Sequence, residues 1–161
     1  MNATDAANDD QRWLALALEQ ARIGRAEGGI PIGAVLVADG RVLGAGRNRR
    51  VQLGSAIRHG ETDAVENAGR LPAATYRRAT MVTTLSPCFM CAGTILLYGI
   101  RRVVIGENTT FLGAEGLLRQ QGVELVTLDS AECRQLMREF IAAEPALWHE
   151  DIGEVQPGTD D

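Results

Sequence analysis

The sequence contains no lysine, so all 16 of its basic residues are arginine. The missing lysine excludes a lysine Schiff base, a Walker-type phosphate loop and the strand lysine of a protein kinase. Histidine is also scarce, with only His59 and His149 in the chain. Two histidines cannot build a three-histidine zinc site, and these two do not form the paired-histidine zincin motif.

Cysteines and aromatic residues are few as well. The three cysteines are Cys88, Cys91 and Cys133, an odd number that favours metal binding or packing over disulfide bonds. The net charge is −5 and the isoelectric point is about 5.1. An acidic chain is poorly suited to gripping phosphate backbones, so a small neutral or cationic substrate is expected and nucleic acid is not.

Long apolar runs are also missing from the sequence, and no secretory leader is expected. No uncharged run approaches the ~18 residues of a membrane helix, and the first ten residues are acidic and polar. We therefore expect a cytoplasmic protein that does not bind membranes. A chain of 161 residues fits one domain over residues 1–161, with loose ends at 1–9 and 155–161.

The hydrophobic pattern predicts alternating helices and strands. An apolar stripe of Leu14, Ala17, Leu18 and Ala21 marks the first helix, and Asp39-Gly40 marks a two-residue hairpin. The predicted helices are 11–27, 60–68, 86–98, 115–121 and about 129–143, and the predicted strands are 32–38, 41–47, 79–85, 103–105 and 124–128. Ser86 is expected to be the N-cap of the third helix, and the spacing Asp129 to Glu132 resembles a capping box.

This order of elements predicts the fold class. It indicates a three-layer α/β/α domain around a five-stranded mixed sheet. The sheet is expected to be antiparallel at the first hairpin and parallel where helices cross over.

Two short motifs carry the candidate chemistry. They are His59-Gly60-Glu61 and Pro87-Cys88-Phe89-Met90-Cys91, each predicted to open a helix. Two cysteines three apart lie about one turn apart on a helix, and one histidine from a neighbouring helix completes a set of three ligands. Such a set suits Zn²⁺ with the fourth position left to water, whose pKa the metal lowers towards ~7.

Glu61 lies close to His59 in sequence without being needed as a ligand. A carboxylate there can take a proton from water, hand it to a ring nitrogen and then protonate a leaving amine. The ordered pattern His-x-Glu followed by Pro-Cys-x-x-Cys is the signature of zinc nucleobase deaminases. The alternative is a closed structural site, which would need Cys133 or His149 as a fourth ligand. The neighbours of Cys133 favour a core position instead.

Beyond these motifs, the chain resembles the small zinc-dependent cytosine deaminases of the fungal type, within the cytidine-deaminase-like superfamily. The likeness covers about residues 11–154 and includes the C-terminal string from Trp148 to Glu154. Further segments that carry it are Gly28-Gly29-Ile30-Pro31-Ile32-Gly33, residues 83–88, Tyr98-Gly99-Ile100 and Ile105-Gly106-Glu107-Asn108.

The resemblance implies a role for each matching residue. His59, Cys88 and Cys91 match the zinc ligands, and Glu61 matches the proton shuttle. The implied substrate contacts are Asn48 and Asp151 at opposite polar edges of a pyrimidine, the backbone of Gly60 and Ser86, and apolar walls at Phe111, Trp148 and Ile152. The resemblance also implies a homodimer, one Zn²⁺ per subunit and a place in pyrimidine salvage.

The expected reaction is the hydrolysis of cytosine to uracil and ammonia, at a cyclic amidine C–N bond (EC 3.5.4). Three alternatives stay open at this point: deamination of adenosine in tRNA, deamination of guanine or another aminoheterocycle or nucleoside, and a zinc module without activity. The first would need a basic surface, for which Arg47, Arg49 and Arg50 are the main candidates. Phe89 departs from the fungal pattern, in which a polar or acidic residue is expected between the two cysteines.

Overall fold

A computed structural model describes residues 3–155 and residue 158, with the backbone alone for residues 3 and 4. The strands are β1 (Gly33–Ala38), β2 (Arg41–Arg47), β3 (Thr80–Leu85), β4 (Arg102–Glu107) and β5 (Glu124–Thr127). The helices are α1 (Ala3–Ala26), α2 (Arg50–Leu53), α3 (Gly60–Ala68), α4 (Ala73–Arg78), α5 (Phe89–Tyr98), α6 (Glu115–Gln120), α7 (Ala131–Ala143) and α8 (Pro145–Asp151).

The five strands form one mixed sheet in the order β2-β1-β3-β4-β5. Strand β1 pairs antiparallel with β2 and β3, while β3–β4 and β4–β5 are parallel. The hairpin turn between β1 and β2 has positive φ at both Asp39 and Gly40, as a two-residue type I′ turn requires. The predicted fold class and the predicted hairpin are therefore confirmed.

Strand β1 is buried on both faces, which explains its continuous run of apolar residues. Leu36 and its alternate neighbours face a core formed with α3, α4, α5 and α6. Val35 and Val37 face a second core, formed with α1 and with Cys133 of α7. The sheet thus lies between two layers of helices, as the sequence predicts.

Several helix boundaries differ from the prediction. Helix α1 begins at Ala3, so residues 3–9 are helical rather than a loose end. Asp10 on this helix accepts two 2.7 Å hydrogen bonds from Arg102 of β4, which ties the early part of α1 to the sheet. Helices α2, α4 and α8 were not predicted. Of the expected C-terminal loose end, residues 156, 157 and 159–161 lie outside the described residues.

Two predicted caps are wrong. Cys88, not Ser86, is the N-cap of α5, because the Ser86 hydroxyl is occupied by a hydrogen bond to the Glu115 carboxylate. Ser130, rather than Asp129, caps α7, and its hydroxyl accepts a hydrogen bond from the backbone N–H of Cys133. The partners of the Ser86 hydroxyl lie outside the sequence window that predicts a cap, whereas the cap of α7 differs from the prediction by one residue.

The functional residues cluster at one edge of the sheet. Strand β3 ends there at Leu85, and the antiparallel strand β1 begins there at Gly33. Helix α3 lies close against β2, where a Cβ on Gly44 or Gly46 would come within 2.3 Å of the Ala64 backbone. This close approach brings the N-terminus of α3 to the same edge. In the described part of the chain, no helix is long and apolar enough to span a bilayer.

Candidate active site and metal centre

Helices α3 and α5 each present a motif residue at their N-termini. His59 is the N-cap of α3, and Cys88 is the N-cap of α5 with Cys91 in its first turn. All of these residues therefore lie where the amide dipoles of a helix favour negative charge. The same dipoles favour the thiolate form of the cysteines, which is the form that binds metals.

The nitrogen and sulfur atoms of these three residues converge. The Sγ atoms of Cys88 and Cys91 lie 3.4 and 3.8 Å from His59 Nδ1. All three donor atoms lie within 4.8 Å of one another. One imidazole and two thiolates are a donor set that Zn²⁺ prefers, and three protein ligands are typical of a catalytic zinc site. The residues present therefore fit the predicted zinc.

Cys133 and His149 do not join this set. Cys133 is 1% exposed and packs in the core between α1 and the sheet. The Nδ1 atom of His149 lies 3.3 Å from Glu154. Within the described residues, the closed structural site that needed one of them as a fourth ligand therefore has no support.

Glu61 is buried beside the metal ligands and held at both carboxylate oxygens. Thr83 donates a 3.0 Å hydrogen bond to Oε1, and the Cys91 thiol lies 3.2 Å from Oε2. Glu61 belongs to the first turn of α3, so it lies at the same end of the helix as His59. Its Oε2 atom is therefore the oxygen that faces the metal centre.

The ionisable groups of the site shift one another's pKa. The hydrogen bond with Cys91 lowers the pKa of Cys88 to about 4, against the opposing effect of burial. The same hydrogen bond, together with burial, raises the pKa of Cys91. Burial, and next the negative charge of Cys88, raise the pKa of Glu61. A buried carboxyl with a raised pKa suits a group that takes up a proton as well as releasing one.

Asp151 contacts the face of His59 that points away from the cysteines. Its Oδ1 atom lies 3.3 Å from His59 Nε2. Burial lowers the pKa of His59, but the hydrogen bonds with Asp151 and Cys88 outweigh it and raise the pKa to about 10. A carboxylate on the second nitrogen orients a ligating imidazole and fixes its tautomer.

Asn48 and Asp151 contact each other directly. The Asn48 carboxamide donates a 2.9 Å hydrogen bond to Asp151 Oδ1, and both side chains are buried. The structure places the two side chains in contact, and which edge of a base each of them faces stays a prediction. The resemblance supplied two polar contacts but not their relative placement, which depends on where α8 packs.

A small cavity opens beside these groups. Its volume is about 20 Å³, and it lies behind an outer cleft of about 480 Å³ with which it shares His59 and Asp151. The residues that line it are Ile32, His59, Glu61, Leu85, Ser86, Cys88, Phe111, Trp148, Asp151 and Ile152. Five of the seven expected substrate contacts are among them; Asn48 adjoins the cavity through Asp151, and Gly60 through its two neighbours in the sequence.

Apolar side chains close the cavity from the C-terminal side. Trp148 of α8 packs edge-on against Phe111, with ring centroids 5.6 Å apart. Trp148 also belongs to a core cluster with Ile32 and Leu85, two lining residues that the sequence reading missed. Their signal was weak, because each is an ordinary apolar residue at the end of a strand.

A buried carboxylate fixes the loop that carries Phe111. Glu115 accepts a 2.9 Å hydrogen bond from the Ser86 hydroxyl, whose oxygen accepts one from the Gly113 N–H at 3.0 Å. The backbone N–H of Ser86 donates to the Glu107 carbonyl. The Ser86 carbonyl oxygen is therefore the backbone group that this residue can offer to a bound base, as an acceptor for an amine.

Comparisons with known proteins agree with this geometry. Residues 7–107 match the family model for the cytidine and deoxycytidylate deaminase zinc-binding region. The chain is 56% identical to a cytosine deaminase of Candida albicans over 147 residues, which are 91% of this chain and 98% of the relative. It is 33% identical to a tRNA-specific adenosine deaminase of Buchnera aphidicola, over 74% of this chain and 80% of the relative.

Solved structures share the fold. A structure from work on A-to-I editing by deaminases at the wobble position of transfer RNA superposes with a TM-score of 0.67 at 30% identity, covering 78% of this chain and 99% of the other. A guanine deaminase from Nitrosomonas europaea superposes with a TM-score of 0.66 at 26% identity, covering 81% and 83% of the two chains. With a zinc-type donor set, a neighbouring glutamate and a matching family model, this chain belongs to the zinc-dependent cytidine and deoxycytidylate deaminase family.

Proposed function

We propose that this chain hydrolyses free cytosine to uracil and ammonia. The observation that carries the proposal is the meeting of His59, Cys88 and Cys91 beside Glu61 at one small cavity. The identity of 56% to a cytosine deaminase selects this base among the substrates of the family. Zinc, when bound by these three residues, supplies an activated water and polarises the attacked carbon.

Glu61 is the proposed proton carrier. Thr83 occupies Oε1, so Oε2 is the atom that takes a proton from water, passes it to the ring nitrogen and later delivers a proton to the leaving amine. Burial of Glu61 keeps bulk water away from this oxygen. The raised pKa of Glu61 allows it to hold the proton between these steps.

The remaining cavity residues are proposed to bind the base. Asn48 and Asp151 offer polar side-chain atoms, and Ser86 offers its carbonyl oxygen. The backbone N–H of Gly60 is one of the first donors of α3, which have no partner within the helix. Phe111, Trp148 and Ile152 form the apolar walls. The cavity of about 20 Å³ has room for little more than a water molecule, so a bound base must also occupy space towards the outer cleft.

Deamination of tRNA adenosine is the second candidate, because relatives with that name share the fold. It would require free basic groups near the cavity. Each arginine of the candidate cluster instead has an acidic partner: Arg47 binds Glu27, Arg49 binds Asp63, and Arg50 binds Glu150 and Asp151. These ion pairs and the net charge of −5 favour the small base.

A homodimer is proposed from the outer face of α5. Phe89, Gly93 and Leu97 lie at positions i, i+4 and i+8 of this helix and therefore share one face. Phe89 is 74% exposed and Leu97 is 78% exposed, which is unusual for side chains of this size. Leu112, 66% exposed, borders the outer cleft together with Phe89. A second copy of this chain is the occupant that the resemblance implies for this surface.

The proposed location is the cytoplasm and the proposed role is pyrimidine salvage. All three cysteines are free thiols in the structure, and two of them are metal ligands that an oxidising compartment would threaten. The product, uracil, is itself a nucleobase that salvage reactions can use. The chain is proposed to fold as one domain, since a single sheet with helices on both faces spans the described residues.

An ammonia-release assay over free bases and nucleosides tests the substrate. We expect the zinc-loaded protein to turn over cytosine at least ~100-fold more efficiently than cytidine, guanine or a tRNA anticodon stem-loop. Efficient turnover of cytidine with none of cytosine would disprove the proposal. Glu61→Ala is the matched control for the mechanism: it should keep its zinc and lose about 10²–10⁴-fold in kcat, the usual contribution of general acid–base catalysis.

A further inference from the structure

We propose that Arg50 is a positioning residue that holds helix α8 closed over the active site. The side chain of Arg50 bridges the Asn48 loop and the two acidic residues at the end of α8, Glu150 and Asp151. We call the contact of Arg50 with these two carboxylates the α8 latch. Its kinetic consequences rest on the proposed function, while its structural consequences do not.

The α8 latch is a two-pronged contact. Arg50 Nη2 donates to Glu150 Oε1 at 2.7 Å, and Nη1 donates to Glu150 Oε2 at 3.1 Å. Nη1 also donates to Asp151 Oδ1 at 3.1 Å. Planar guanidinium–carboxylate pairs of this type fix orientation as well as distance, which a single ammonium cannot do.

The loop side of the α8 latch is equally fixed. The Nε atom of Arg50 donates to the Ala56 carbonyl at 3.2 Å, and the side chain is only 14% exposed. The backbone N–H of Arg50 donates to Asn48 Oδ1 at 3.1 Å. This backbone contact, which a substitution of the Arg50 side chain leaves in place, orients the Asn48 carboxamide so that its nitrogen faces Asp151.

Arg50 also supports the negative charge of Asp151. Asp151 is 6% exposed, and its Oδ1 atom has three polar partners: His59, Asn48 and Arg50. Of the three, Arg50 alone carries a fixed positive charge at every working pH. Without Arg50, the negative charge of the buried Asp151 carboxylate would be stabilised by the His59 ring and the neutral Asn48 amide.

Apart from the contacts of Asp151 with Asn48 and His59, α8 packs through apolar side chains, which do not set its orientation. Trp148 packs into the core cluster of Ile32, Leu85 and Phe140, and Ile152 packs at its edge. Apolar packing is non-directional, so it favours burial of Trp148 without fixing the carboxylates. The α8 latch adds a charged, two-pronged contact to the contacts of Asp151 with Asn48 and His59, and its loss shifts α8 towards conformations in which the cavity is open to the outer cleft.

A spectroscopic experiment tests the latch without using any substrate. In a Trp13→Phe background, Trp148 is the sole tryptophan, and acrylamide quenching of the zinc-loaded protein reports its exposure. We expect Arg50→Gln to raise the quenching constant of Trp148 at least about twofold, because buried indoles are shielded from the quencher. Arg50→Lys keeps the positive charge but not the planar guanidinium with its two paired donors, so its quenching constant should be intermediate.

The matched control is Arg47→Gln. Arg47 lies in the same stretch of chain and makes a similar two-pronged contact, but with Glu27, which follows α1, rather than with α8. Its removal takes away an equal charge and should leave the quenching of Trp148 unchanged. Equal quenching in the parent and in Arg50→Gln would overturn the proposal, and so would equal increases in both arginine variants.

Kinetics separate a positioning role from a general loss of structure. With cytosine, Arg50→Gln should raise KM about tenfold, since only the closed fraction binds well, while kcat changes less than about threefold. Its zinc content should equal that of the parent. Loss of zinc would overturn the proposal. A tenfold loss of kcat without a change in KM would also overturn it. If the parent does not deaminate cytosine, the proposed function fails, and the quenching result still decides the latch.

Discussion

The Thr83 hydroxyl lies 3.0 Å from Glu61 Oε1 and donates a hydrogen bond to it. Thr83 belongs to β3 and Glu61 to α3, so this contact crosses from the sheet to a helix that packs on it. Both side chains are buried, and Thr83 is fully so. The sheet therefore fixes the rotation of the carboxylate that is proposed to move protons.

Thr83→Val tests this contact. Valine has the same shape but no hydroxyl, so Glu61 loses one partner and its Oε2 atom is less firmly aimed at the metal centre. We expect kcat to fall about tenfold, the equivalent of one hydrogen bond to a charged group, with zinc content unchanged. The control is Thr84→Val, the adjacent buried threonine whose hydroxyl accepts from the Gly33 N–H instead. A larger loss of kcat in Thr84→Val than in Thr83→Val would contradict this interpretation.

The cysteines should separate into metal ligands and a core residue. Cys91→Ala removes a thiolate from the donor set, so the purified protein should carry less than about a tenth of the parent's zinc and show no turnover. Cys133→Ala should keep its full zinc and lose only about 1–3 kcal/mol of unfolding free energy, because it removes one small buried group. Elemental analysis and urea unfolding measure both quantities. Loss of zinc in Cys133→Ala would show that Cys133 contributes to the metal site and would contradict its assignment as a core residue.

Asp63 anchors the loop before the site and gives a pH-dependent prediction. Its Oδ1 atom accepts 2.7 Å hydrogen bonds from Arg49 and Arg58. Burial raises the pKa of Asp63, but the hydrogen bonds with Arg49 and Arg58 outweigh it and lower the pKa. The folded state therefore favours the ionised form, and this stabilisation is present above the ordinary pKa of ~3.9 and lost as the pH falls through the lowered value.

Asp63→Asn should follow that dependence. At pH 7 the variant should lose about 1–3 kcal/mol of unfolding free energy, since both arginines are only partly buried. The difference between parent and variant should stay constant from pH 6 to 8 and shrink below about pH 4. Urea unfolding across a pH series measures it. A difference that grows as the pH falls would show that the sign of the argument is wrong.

The proposed dimer surface can be tested by charge insertion. Leu97→Glu and Phe89→Glu place a carboxylate on the outer face of α5, where desolvation in an interface would be costly. We expect each to shift a dimer towards monomer in sedimentation velocity at micromolar concentration. Leu16→Glu, on the helix layer at the other face of the sheet and 42% exposed, is the control that should leave the mass unchanged. A parent that sediments as a monomer would disprove the dimer.

The sequence predicted the parts of the fold that depend on local patterns. The hairpin at Asp39-Gly40, strand β2 and helix α3 were predicted with the bounds that the structure has. The early part of α1 and the short helix α8 were missed because their stability depends on distant partners. Asp10 binds Arg102 on β4, and Trp148 packs against Phe111, contacts that no window of the sequence contains.

The candidate site shows the same contrast between local patterns, which the sequence predicts, and contacts between distant residues, which it does not. Close spacing within each motif predicted the convergence of His59, Cys88 and Cys91, since a helix start fixes where nearby residues lie. The arginines were harder to interpret, because Arg50 looks like any solvated residue until its acidic partners at the far end of the chain are placed beside it. The direct contact of Asn48 with Asp151 could not be predicted for the same reason: it joins residues more than 100 positions apart.

Helix α8 forms one side of the cavity, yet all three metal ligands and Glu61 precede it by a long stretch of chain. The residues that would hold the metal and the helix that covers them are therefore separate parts of the chain, so that a change in α8 can alter access to the centre without removing a ligand.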